Sequence, residues 1–219
     1  MKESIFEKAA LSGYYTGAMT VKGSVIKTVL LVALTIFAAS YTWYMVSGGA
    51  NVAPWMWGGV IAGLVLALII SFVPKTAPYL SPLYAVAEGF ALGAISALFE
   101  GIFSESYPGI VLTAVAITLL TTLIMLFCYQ TGLIKVTDKL RSVIIIATIS
   151  IGVFYLVVIV LNLFGVNTAF YHGASWLSIG ISAVIVVIAA LNLLLDFDFI
   201  EKGAKMSAPK YMEWYGAFG

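Results

Sequence analysis

Charge is what this sequence of 219 residues has least of. Only 10% of its residues are Asp, Glu, Lys or Arg, whereas soluble domains carry about 25%. There is one cysteine, Cys128, and one histidine, His172. A single cysteine excludes an internal disulfide and a thiolate metal cluster. A single histidine in a loop provides neither a histidine-based metal site nor the base of a buried Ser–His dyad, and no His-Glu-x-x-His is present. The formal net charge is +1 and the basic residues are dispersed, so the footprint of a nucleic-acid binder is missing. No Pro/Ser-rich linker or low-complexity tract divides the chain. The first 24 residues lack the apolar core and small-residue cleavage site of a signal peptide. The expected organisation is therefore a cytosolic segment over 1–24 and a single helical membrane domain over 25–219.

Apolar residues fill the remainder: 62% of the chain is hydrophobic and the mean hydropathy is +1.08. A bilayer-crossing helix needs about 20 apolar residues. Six runs reach that length, at 28–46, 52–73, 83–103, 110–129, 143–164 and 174–197. They are continuously apolar, unlike the alternating strands of a membrane barrel, so the fold class is an all-α integral membrane protein. The gaps are short and carry Gly, Pro and Ser turn signals, which makes consecutive spans antiparallel.

All eleven Lys and Arg fall on one side of this arrangement. Lys2, Lys8, Lys22 and Lys27 precede the first span; Lys75 lies between the second and third; Lys135, Lys139 and Arg141 lie between the fourth and fifth; Lys202, Lys205 and Lys210 follow the sixth. The positive-inside rule makes that side cytosolic, including the N-terminus. Glu100, Glu105 and His172 fall near the opposite face. There, too, Trp43, Tyr44, Trp55, Trp57, Tyr171 and Trp176 form an expected interfacial aromatic belt.

Acids inside the membrane carry the sharpest chemical signal, because a carboxylate at mid-bilayer costs about 2.5–3.5 kcal/mol on the mildest scale. Glu88 lies about five residues into the third span, roughly 7–8 Å below its cytosolic edge by helical rise. Asp196 approaches the same side along the sixth span. Two carboxylates at similar depth can share a proton or hold a hard cation such as calcium weakly. A structural reading stays open for each: Glu88 as a hydrogen-bonded or protonated packing residue, Asp196 as a residue reaching the headgroups. Asn192, four residues before Asp196, can bond it or act as glue between helices. Asp198 and Lys202, like Glu201 and Lys205, are spaced as solvated i,i+4 pairs. Small residues at 89, 93, 97 and 101, and at Gly59 and Gly63, point to close helix packing, and Thr113, Thr118, Thr121 and Thr122 to interhelical hydrogen bonds. No internal repeat of the transporter kind is evident. An aspartic-protease-like dyad of two acids lacks flanking motifs, so no enzyme activity is expected.

Several stretches together resemble the transmembrane Bax inhibitor motif family, in its bacterial YccA-like branch. They are Phe72-Val73-Pro74-Lys75-Thr76-Ala77-Pro78, Tyr84-Ala85-Val86-Ala87-Glu88-Gly89, Tyr107-Pro108-Gly109-Ile110, Leu191 to Glu201 around Asn192 and Asp196, and Ala208 to Gly219. The resemblance implies six helices around a central seventh, in a bacterial inner membrane. It also implies a pH-sensitive calcium leak, latched by one acid on the sixth helix and one on the last. Asp196 matches the first of these. The family's last helix begins where this sequence stops, so the expectation is a truncated seventh helix without the second latch acid. Glu213, just before that helix, reads as an interfacial acid beside Trp214 or as a supporting cytosolic-side acid. Calcium is expected as a transient passenger and no cofactor is expected. The alternative function implied by the family is a non-conducting regulator that binds another membrane protein, such as a quality-control protease.

Overall fold

The structure is a computed structural model that describes residues 17–165 and 176–219. The expected charges at Lys2, Glu3, Glu7 and Lys8, and Tyr171 and His172, lie outside the described residues. Within them the elements are α1 (Val21–Ser47), α2 (Val52–Phe72), a 3-10 turn (Pro74–Thr76), α3 (Ala77–Phe103), α4 (Ile110–Gln130), α5 (Asp138–Leu163), α6 (Trp176–Lys205) and the short α7 (Met212–Phe218). Six of these helices are long and apolar enough to cross a membrane. Leu112, Leu163 and Phe72 are 75%, 81% and 82% exposed, an arrangement that suits lipid and not water.

Several helices begin earlier than their apolar runs, each for a local reason. α1 starts at Val21 because Thr20, in extended backbone, accepts the Gly23 N–H at 2.9 Å and caps the helix. Lys22 fits in its first turn because its stem is apolar and its head is exposed, and Lys27 because its ammonium meets the carboxylate of Glu213. α3 starts at Ala77, six residues before the apolar run, because Pro78 sits in the first turn, where no intrahelical N–H is needed. Pro82 forfeits a single bond, to the Pro78 carbonyl. α5 is capped by Thr137, which accepts from the Leu140 N–H at 3.2 Å, and Asp138 lies in its first turn. α6 continues past 197 to Lys205, with Lys202 and Lys205 in its last turn facing the negative end of the helix dipole.

The chain divides into two compact units, residues up to Ile117 with Phe199–Gly219, and Thr118–Asp198. In the first, α3 packs on both α1 and α2 through small residues. A Cβ on Gly59 would lie 2.6 Å from the Ala87 carbonyl oxygen, and one on Gly89 would lie 2.5 Å from that of Thr35. Gly93 is pressed equally hard against Ala39. Such approaches need glycine and let van der Waals contact hold the helices. A Cβ on Gly101 would meet nothing within 4 Å among the described residues, so the expected ladder stops before it. The Thr35 hydroxyl donates to the Ala85 carbonyl at 3.2 Å across the α1–α3 seam. On α4 the expectation of interhelical threonine bonds fails at Thr113 and Thr122. Both donate to carbonyls of their own helix, at Gly109 and Thr118, the usual alternative when no partner lies closer.

In the second unit, Asn192 Nδ2 of α6 donates to Thr148 Oγ1 of α5 at 2.9 Å and to the Ile188 carbonyl. The ring of Tyr129 on α4 lies 5.9 Å from that of Phe197.

Candidate functional site: acids in and beside the spans

Glu88 lies on the face of α3 that meets α2. It is half-buried, and a Cβ on Gly63 would come within 3.2 Å of its Oε2. No hydrogen bond or ion pair reaches its carboxylate among the described residues. Tyr84 stands one turn earlier on the same face. The Tyr84 ring packs edge-on against Phe218 of α7, with centroids 4.8 Å apart.

Asp196 belongs to the second unit, half-buried on α6, and it has interactions of its own. Asn192 uses its side-chain amide to tie α6 to α5, which is the glue role. Asp198 departs from its expected place as a solvated residue. It is 8% exposed, and its Oδ2 accepts from Arg141 Nη2 at 2.5 Å. The two acids differ because residues two apart on a helix face different ways: at 198 the side chain turns toward the start of α5, where Arg141 is waiting. Glu201 and Lys205 do form the expected i,i+4 pair, on the surface. Among the described residues, no three His, Cys, Asp or Glu side chains gather as a metal site.

The most elaborate acidic site is one that the sequence undervalued. Glu213 does not sit at an exposed interface; it is completely buried. Its path there begins at the end of α6, where Ser207 takes a left-handed conformation, φ 50°. The Ala208 N–H then closes back on the Gly203 carbonyl. The chain reverses and runs beside the entry to α1, with the Met19 N–H donating to the Ala208 carbonyl at 2.6 Å. Met19, Phe199, Ala208 and Met212 form a small core there, with Tyr215 packed against it. Gly216 of α7 fits over Ile200, where a Cβ would have 3.1 Å.

This docking delivers the Glu213 carboxylate to the N-terminus of α1. Its Oε1 accepts from the Thr20 N–H and the Thr20 hydroxyl, each at 2.9 Å. Oε2 accepts from Lys27 Nζ, and Lys210 Nζ lies 3.1 Å from Oε1. Thr20 therefore works in both directions, receiving from Gly23 and giving to Glu213. A side chain at position 23 would collide with the carboxylate and force it out of this arrangement. Lys27 also lies 5.6 Å from the centre of the Trp214 ring. Burial alone raises the Glu213 pKa, but the hydrogen bonds from Lys27, Lys210 and Thr20 together outweigh it and hold the carboxyl below the usual range. The positive end of the α1 dipole acts in the same sense. Burial pushes the Tyr215 phenol up.

A further acid, Glu100, satisfies the start of α4, accepting from the Gly109 N–H at 2.7 Å and the Val111 N–H at 3.3 Å.

Sequence spacing held no signal for Thr20 and Lys27 as partners of Glu213, since the chain folds back across 193 residues to bring Thr20 there, whereas Lys210 stands only three residues before it. The nearest hint was Thr20 standing three residues before Gly23 ahead of an apolar run, a capping pattern. No curated protein and no solved structure matches the chain. The family described as Bax inhibitor 1 like matches residues 2–219. With six membrane-length helices, a short seventh and a match over nearly its whole length, the chain belongs to the Bax inhibitor 1 like family of membrane proteins.

Proposed function

We propose that this protein is a passive, pH-sensitive leak for calcium or a similar hard cation, and not an enzyme. In this reading it lies in a bacterial inner membrane with its N-terminus in the cytosol. The observation that carries the proposal is Glu88, a carboxylate inside an apolar span that no hydrogen bond or ion pair neutralises among the described residues. Such acids are costly, and ion or proton traffic is the usual reason for them. Asp196 on α6 is the second acid of this reading and its pH sensor, through the latch that the family resemblance implies. An ionised carboxylate attracts a cation, and a protonated one releases it. A tight calcium site needs six to eight oxygens, so a few carboxylate and hydroxyl oxygens give the weak, transient binding that a leak requires. Calcium is then the passenger and not a resident cofactor, and the bilayer is the constant partner. The single-sided distribution of all eleven basic residues supports the orientation.

The test is calcium flux into liposomes that hold the purified protein and an entrapped indicator, measured as pH is varied. Wild-type flux is expected to change with pH, Asp196→Asn to flatten that dependence, and Glu88→Gln to lower the flux. Equal flux from the wild type and both variants at every pH would overturn the proposal.

A further inference from the structure

Serine and threonine hydroxyls on these helices have a consistent habit. Ser24, Thr28, Thr42, Thr131, Ser142 and Ser150 each donate to the carbonyl four residues back, the default for a hydroxyl in an apolar surrounding. Ser81 breaks the habit. It is completely buried in α3, and its Oγ has no hydrogen-bond partner among the described residues. A buried, orphaned hydroxyl calls for an explanation, and ordered water is the commonest.

Its position along α3 sets Ser81 in line with Glu88. Ser81, Tyr84 and Glu88 follow at intervals of three and four and so share one face. Long helical side chains lean toward the N-terminus of their helix, which brings the Glu88 carboxylate toward Tyr84 and Tyr84 toward Ser81. Pro82 adds a further acceptor at the Lys75 end, because its missing N–H leaves the Pro78 carbonyl without its intrahelical bond. On the far side, Gly63 presents no side chain to Glu88.

We propose that the α3 face from Ser81 to Glu88 holds ordered water, and that Glu88 takes up and releases protons along it toward the Lys75 end of the helix. The inference rests on reading Glu88 as an exchanging acid, but it needs no cation flux. Among the described residues, the charged and titratable groups on the packed elements leave Glu88 without a counter-ion. α2 contains no charged residue. Lys27 of α1 is engaged by Glu213, and Lys75 in the 3-10 turn is exposed. α7 brings the Phe218 ring to Tyr84, with Tyr215 beside that ring.

The experiment is infrared difference spectroscopy of the purified full chain, titrated through pH in H2O and in D2O. The expected result is a protonated-carboxyl stretch that is missing in Glu88→Gln and moves to lower frequency in D2O. Ser81→Ala should delay or abolish that movement, and Ser81→Thr, which keeps the hydroxyl, should restore it. A Glu88 band that stays unmoved in D2O, a Ser81→Ala band that moves as fast as the wild type, or no Glu88 band anywhere in the titration would each overturn the proposal. Failure of liposome flux with a normal exchanging band would instead count against the leak alone.

Discussion

Replacing Glu213 by Gln changes almost nothing in shape and removes one charge from a site with no exposure. The amide oxygen can still accept from the Thr20 N–H and hydroxyl, so the capping contacts survive. What is lost is the attraction to two lysines. Removing one partner of a fully buried ion pair costs about 3–5 kcal/mol. Lys27 retains 17% side-chain exposure and can turn outward, which places its share nearer the 1.5–3 kcal/mol of a charged hydrogen bond. Lys210 is 52% exposed and adds at most about 1 kcal/mol. A loss of roughly 2–3 kcal/mol follows, or about 4–12 °C in Tm for a chain of this size, read by thermal unfolding in detergent. Gly23→Ala should destabilise at least as much by collision with the carboxylate, and Glu213→Ala should relieve part of that loss when the two are combined. The pH dependence has a definite sign. Because the folded pKa lies below the ordinary carboxyl value, this stabilisation is fully present above about pH 5 and is lost as pH falls through the folded value. The clamp is therefore a fastening that neutral-range pH changes leave closed. A Glu213→Gln protein that unfolds at the wild-type temperature, or higher, would refute this reasoning.

Other positions give equally concrete expectations. Asp198→Asn should destabilise by about 1–3 kcal/mol by stranding Arg141, read as a lower Tm, while Arg141→Lys should keep only part of the pairing, since lysine lacks the planar fork. Asn192→Leu and Thr148→Val should each cost about 0.6–2 kcal/mol and the double variant little more than either alone, as denaturation in a double-mutant cycle would show. Glu100→Ala should cost about 0.5–2 kcal/mol through the uncapped start of α4, with faster amide exchange at Gly109 and Val111 as the local readout.

Much of this architecture was legible in the sequence, because bilayer thickness converts directly into the length of an apolar run. The residues at which α1, α3 and α5 begin were less so: a run of hydrophobicity says nothing of caps, and Thr20, Pro78 and Thr137 extend the helices into polar sequence. Gly59, Gly89 and Gly93 announced close packing through their spacing, whereas Gly101 shares the spacing and has open space at its Cβ position among the described residues, since spacing gives a face but not a neighbour. Glu88 stood out because a charge in an apolar run is conspicuous anywhere. Glu213 did not, because its surroundings in sequence are polar and aromatic, as at any membrane border. Its burial depends on a chain reversal at Ser207 and on a partner helix at the other end of the chain. Asp198 was read as solvated for the same reason: Lys202 is near in sequence, and Arg141, 57 residues away, is near in space.

The central claim, that acids within these spans pass cations under the control of pH, is tested most directly by current across a planar bilayer holding the purified protein, with calcium as the only small cation present. The account predicts a calcium current that changes as pH is stepped and that falls in the Glu88→Gln, Asp196→Asn double variant. A bilayer silent at every pH, with protein whose thermal unfolding shows it to be folded, would contradict it.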